Sequence, residues 1–213
     1  MGLFGNSKKK SSPKPRVDAK AIQEQLYRTN VNYRRTVDAI AYQNKLIARV
    51  NAARERYKND GNLDAIIKEY EFAFVESNPP CTSSQYIKLA DFYIKAGQND
   101  KAWGYLNSML AKKPNGRKDI RFAQARILKK EKRYMDAIEM YMLGYLANAE
   151  RNNSFSPNTF KREIQPCINK LQWEADTADY LCYLLESQIK KKNYRESTVI
   201  NSYRAFVGSQ QKS

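Results

Sequence analysis

The side chains of this chain that could do chemistry are its cations. Lysine and arginine number 38 against 22 aspartates and glutamates, a net charge of +16, and there is no histidine. Without imidazole, Ser–His and Cys–His nucleophile activation and histidine-held metals are excluded. The carboxylates that acid–base chemistry would need, such as Asp64, Glu69, Asp100, Asp136 and Glu139, fall on solvated helix faces or at capping positions. The eight glycines are scattered, so no phosphate-cradling loop is present. Cys81, Cys167 and Cys182 are odd in number and lack metal-like spacing, which fits buried thiols in a reducing compartment. The expectation is a chain that is not an enzyme and carries no cofactor and no metal. What its residues can do is form charge-assisted hydrogen bonds to anions: acidic protein segments, nucleic acid, or an anionic membrane surface.

Five of the cations crowd into residues 1–17, MGLFGNSKKKSSPKPRV, with no acid among them. Gly, Ser, Pro and Lys with almost nothing to bury predict a disordered basic tail, in which Lys8, Lys9 and Lys10 would contact an anionic surface. Met1-Gly2 resembles the start of an N-myristoylation signal, with Gly2 as acceptor. It departs from that signal because Asn6 stands where Ser or Thr belongs and the serine comes one later, at Ser7. No apolar run approaches the ~18 residues of a membrane span, and Leu3 and Phe4 alone make no signal peptide. The expected location is cytoplasmic, peripheral at the inner face of a membrane where the tail engages it.

The elements that must position the remaining cations read as helices. From Asp18, an N-cap by type, to about Asn59 there is neither Pro nor Gly, and Ile22, Leu26, Tyr33, Val37, Ile40, Ile47 and Val50 recur at helical intervals with a break near Thr29–Asn32. Beyond it one spacing repeats. Tyr57, Gly61, Ile66, Tyr70 and Ala73 recur as Tyr93, Gly97, Ala102, Leu106 and Met109, then as Leu128, Lys132, Ala137, Tyr141 and Gly144. The steps are 36 and 35 residues, close to the ~34 of a helix–turn–helix solenoid unit. A large residue ends one helix, a Gly or polar residue makes the turn, and apolar residues follow on the second helix. Asn78-Pro79-Pro80 and Pro114-Asn115-Gly116 close the first two units.

This pattern resembles the tetratricopeptide repeat (TPR) family, about three repeats over 47–150. The resemblance implies an all-α, antiparallel helix-pair solenoid whose usual work is binding other proteins. The expected organisation is a tail over 1–17, N-terminal capping helices over 18–46, repeats over 47–150, C-terminal helices over 151–207, and a frayed tail over 208–213. A loop is expected at 151–158, a short helix at about 159–173 containing Pro166, and a last helix pair at about 177–192 and 195–207. That pair echoes the repeat weakly as Ile189, Asn193, Thr198, Ser202 and Ala205, which leaves a degenerate fourth repeat and a simple C-terminal cap both open.

In a TPR-like solenoid the first helix of each repeat lines the groove. Here that places Asn51, Glu55 and Lys58 from the first repeat, Ser84, Lys88, Asp91 and Lys95 from the second, and Phe122, Arg126, Lys129 and Lys130 from the third. The face is more basic than acidic, so the expected partner is an acidic peptide or protein. Some TPR proteins grip a terminal carboxylate with Lys, Asn and Arg at set groove positions. Asn51, Glu55, Lys88, Asp119 and Ala123 stand at those positions and do not match, so that clamp is not carried over. The alternative is a basic nucleic-acid-binding helical protein, suggested by the charge and the 15 tyrosines. Tyr57, Tyr70, Tyr93, Tyr134 and Tyr141 fall at repeat or stripe positions, where they are interior. Lys190, Lys191, Lys192 and Arg195 would either contact phosphate or complement a helix C-terminus.

Overall fold

The computed structural model describes residues 18–76, 85–112 and 114–210. All regular structure among them is helical, with no strand. The order is α1 (Ala19–Thr29), α2 (Val31–Asp60), α3 (Leu63–Glu71) running into a π-helical turn (Phe72–Glu76), α4 (Tyr86–Lys95), α5 (Asn99–Lys112), a 3-10 turn (Pro114–Gly116), α6 (Arg117–Lys130), α7 (Tyr134–Asn152), α8 (Pro157–Leu171), α9 (Thr177–Lys190) and α10 (Glu196–Gln210). The expected tail with Gly2, Lys8, Lys9 and Lys10, and the Asn78-Pro79-Pro80 stop, lie outside the described residues. Packing divides the chain into two units, Met1–Lys45 and Leu46–Ser213, and the boundary falls within α2.

The first unit holds α1 and the start of α2. Asp18 caps α1, its carboxylate accepting from the N–H of Lys20 at 3.0 Å and of Ala21 at 3.5 Å. The break falls at Asn30, whose side chain accepts the Tyr33 N–H at 3.0 Å and so caps α2 in turn. No α1 residue is buried.

In the second unit the repeat spacing becomes a series of left-handed turns. Gly61, Gly97 and Lys132 have φ of 64°, 74° and 62°. After α4 the Gln98 N–H reaches back to the Tyr93 carbonyl at 2.8 Å, and after α6 the Arg133 N–H reaches the Leu128 carbonyl at 2.9 Å. This is the Schellman closure, which satisfies carbonyls the helix end leaves orphaned. It explains why a large residue sits four places before the turn residue: Tyr93 and Leu128 end their helices with side chains buried in the core. Ile66, Tyr70, Ala73, Ala102, Leu106, Met109, Ala137 and Tyr141 are buried as well. Consecutive helices from α3 to α10 pack on one another, except that α3 reaches α4 past residues that are not described. Alternate helices also touch, α4 on α6 and α7 on α9, while α10 returns to α7.

Three expectations at the C-terminal side need correction. The loop expected over 151–158 is short, because α7 runs to Asn152 and α8 already starts at Pro157, with Ser156 at the N-cap position. Proline suits a first turn, where its missing N–H costs nothing. The helix around Pro166 accordingly spans Pro157–Leu171 rather than 159–173. The last helix does not stop at Val207 but continues through Gly208 to Gln210. The last pair, open between a degenerate repeat and a simple cap, differs from the earlier pairs in turn length. Three residues separate α4 from α5 and α6 from α7, but five separate α9 from α10. The two extra residues rotate the buried face to Val199 and Tyr203, while Ala205 is exposed.

Candidate partner-binding cleft

Three helices of the second unit bring cations together over an aromatic floor. The C-terminal part of α2 contributes Arg54, Tyr57 and Lys58, at i, i+3 and i+4 and therefore on one face. Lys88, Asp91, Phe92 and Lys95 come from one face of α4 by the same rule, joined by Ile94, and α6 adds Arg126. They line a cleft of about 490 Å³.

The floor is apolar. The Tyr57 and Phe92 rings meet edge to face with centroids 5.5 Å apart, and Phe92 in turn meets Tyr70 at 5.1 Å. Lys95 holds its ammonium 5.7 Å from the centroids of both Tyr57 and Phe92, a cation–π position. Five cations against one carboxylate leave the lining with a surplus of four positive charges. Asp91 is the organiser. It accepts from the Arg126 guanidinium at 2.7 Å and pairs with Lys88 at 3.6 Å, tying α6 to α4. Lys130 donates to the Ile94 carbonyl at 2.5 Å, adding a second tie at the end of α4. Chemically, such a surface can hold carboxylates by charge-assisted bonds while offering aromatic area to an apolar side chain.

Of the residues expected on the groove, the structure gathers Lys58, Lys88, Asp91, Lys95 and Arg126 in this cleft. Glu55 pairs with Lys58 at 2.7 Å, and that hydrogen bond with the Lys58 charge holds its carboxyl below the usual range. Asn51 accepts from the Gln85 amide at 3.3 Å. The third-repeat residues divide. Phe122 packs its ring against Tyr141 and Tyr145, and Lys129 lies over the Tyr141 ring at 5.9 Å, so both serve α6–α7 packing rather than the cleft. Ser84 lies outside the described residues.

Four lining residues were missed from sequence: Arg54, Tyr57, Phe92 and Ile94. Arg54 stands one turn before Lys58, a signal that was available. Phe92 and Tyr93 are consecutive on α4, so their side chains diverge by about 100° and only one can follow the repeat's interior position. The repeat position of Tyr57 predicts an interior side chain; it is half-buried and also lines the cleft.

A second hollow of about 470 Å³ lies between the start of α6 and the end of α7. Its three cations are already engaged: Arg117 pairs with Glu150, Arg151 donates to the Asn115 carbonyl at 2.6 Å, and Lys118 lies over the Phe122 ring at 5.8 Å. Cys167 and Cys182 are buried, and burial pushes both thiols up, away from nucleophilic reactivity. Among the described residues no group of three His, Cys, Asp or Glu could hold a metal ion, and no helix is long and apolar enough to cross a membrane. Comparison with known proteins finds no matching family model, no matching curated protein and no matching solved structure.

Proposed function

We propose that this chain is a non-catalytic, TPR-like helix-pair scaffold that binds an acidic peptide or protein segment in the cleft of α2, α4 and α6. The observation that carries the reading is the cleft itself: a surplus of four positive charges over a Tyr57–Phe92 floor. The helices that build it are those that open the three repeats. Contacts one repeat apart support the same architecture: Asn51 with Gln85 at a separation of 34 residues, Asp91 with Arg126 at 35, and Ile94 with Lys130 at 36. Stacked units with a common geometry place equivalent residues in contact at that interval. In this reading the protein is cytoplasmic and its basic N-terminus, with Gly2, Lys8, Lys9 and Lys10, recruits it to an anionic surface.

Affinity purification with the wild-type chain and with Lys88→Glu/Arg126→Glu tests the reading. Partners recovered by wild type should be lost by the double variant, since two attractive contacts become repulsive. Unchanged recovery would overturn the assignment of the cleft. The net charge of +16 favours nucleic acid as a second reading. A gel shift with random DNA and RNA, steeply weakened by salt, would support that reading instead.

A further inference from the structure

The described residues of the first unit carry five large apolar side chains on the surface: Ile22 (44% exposed), Leu26 (40%), Tyr27 (37%), Val31 (57%) and Ile40 (52%). On α1, Ile22, Leu26 and Ala19 share one face, while Lys20, Glu24 and Arg28 take the opposite one. The elbow to α2 is held firmly. Arg34 donates to the carbonyls of Tyr27 and Arg28 at 3.0 and 2.7 Å, closing the end of α1, and the Tyr27 hydroxyl donates to Asp38 at 2.7 Å. The apolar face is therefore presented by a fixed element rather than by a wandering side chain or two.

We infer that α1 is an interfacial helix that lays Ile22 and Leu26 into an anionic lipid surface. Charge decides the occupant. Residues 1–45 contain ten lysines and arginines against three acids. Two copies facing each other through this unit would bring like charges together, which opposes self-association. Phosphates of nucleic acid would satisfy the cations but leave the aliphatic Ile22, Leu26, Val31 and Ile40 with nothing to cover them. An anionic bilayer supplies both: headgroup charge for Lys20, Arg28 and the basic residues before them, and acyl chain for the aliphatic face. An amphipathic face together with a polybasic segment is the two-signal combination that stable peripheral binding requires. With Lys20 and Arg28 on the face opposite Ile22 and Leu26, the helix would lie along the interface with its cations toward the headgroups and its aliphatic side chains toward the acyl layer.

This inference is independent of the acidic-peptide cleft, and Lys88→Glu/Arg126→Glu should leave it untouched. The test is flotation of the full chain with vesicles of phosphatidylcholine plus phosphatidylserine and with phosphatidylcholine alone. The variant Ile22→Gln/Leu26→Gln keeps both charge and helix propensity. Wild type should float with the anionic vesicles and not the neutral ones. The variant should partition roughly tenfold more weakly, with an unchanged melting temperature because both residues are exposed. Three results would overturn the inference: no wild-type binding to anionic vesicles, equal binding of the variant, or concentration-dependent dimerisation that the variant abolishes in the absence of lipid.

Discussion

The Arg126 guanidinium on α6 donates to the Asp91 carboxylate on α4 at 2.7 Å, joining these two helices through the one acid among the described residues of the cleft lining. Asp91 is 27% and Arg126 45% exposed, so the pair is worth no more than about 1 kcal/mol to the fold. Its larger effect is electrostatic. Asp91→Asn should lower stability by less than about 1 kcal/mol in urea unfolding. It should also tighten binding of a poly-glutamate peptide at low salt, because it releases Arg126 and Lys88 and removes the one repulsive charge. The difference should fade as the screening length shrinks with added salt. Weaker binding at every salt concentration would show that Asp91 itself contacts the ligand.

Gly144 on α7 lies under the Phe122 ring of α6. A Cβ there would fall 2.5 Å from the ring edge, and the ring cannot swing freely because it packs on Tyr141 and Tyr145. Alanine would gain about 1 kcal/mol of helix propensity over glycine. Overpacking costs about 1–3 kcal/mol, so Gly144→Ala should be net destabilising. A double-mutant cycle with Phe122→Ala checks the cause: in the absence of the ring, Gly144→Ala should become stabilising.

Lys132 occupies, at φ 62°, the turn position that glycine fills at Gly61 and Gly97. A left-handed residue with a Cβ is strained by about 1–2 kcal/mol, which glycine relieves. Lys132→Gly should therefore raise the melting temperature by a few degrees, and Gly97→Ala should lower it by a similar amount. Opposite signs at equivalent positions, read by calorimetry, would tie the effect to the turn and not to helix propensity.

The residues that decided how much could be read in advance are these same turn and core positions. Tyr93, Gly97, Ala102, Leu106 and Met109 have types fixed by backbone conformation and burial, so their spacing announced the helices and their closures. The cleft was legible where helical period sets the face, with Lys88, Asp91 and Lys95 following from α4 and Lys58 and Arg126 from the equivalent faces of α2 and α6. Phe122 could not be placed, because its neighbours Tyr141 and Tyr145 belong to another helix and its direction depends on how α6 meets α7. The register of the last pair stayed open in the sequence for a different reason. A turn longer by two residues changes no composition, yet it moves every buried position of α10.

Tyr70 is fully buried and its hydroxyl has no hydrogen-bond partner among the described residues. Burial pushes its phenol up to about 12, against the opposing charge of Arg54, and Tyr141 is pushed to about 12 mainly by burial. Burial raises Tyr93 and Tyr203 too. An unfolded tyrosine ionises near pH ~10. Between about 10 and 12 the folded chain therefore holds protons that the unfolded chain has lost, and stability falls as pH rises through that window. Melting temperature should be flat near neutrality and drop steeply above about pH 10, with tyrosinate absorbance appearing together with unfolding. Tyr70→Phe separates the contributions. It keeps the ring contacts with Phe74 and Phe92 and removes an unsatisfied buried hydroxyl, so it should stabilise the fold at neutral pH by about 1–3 kcal/mol. It should also make the alkaline decline shallower, since one fewer phenol is released on unfolding. A loss of stability at neutral pH would mean that the Tyr70 hydroxyl is satisfied, by a buried water between α3 and α4.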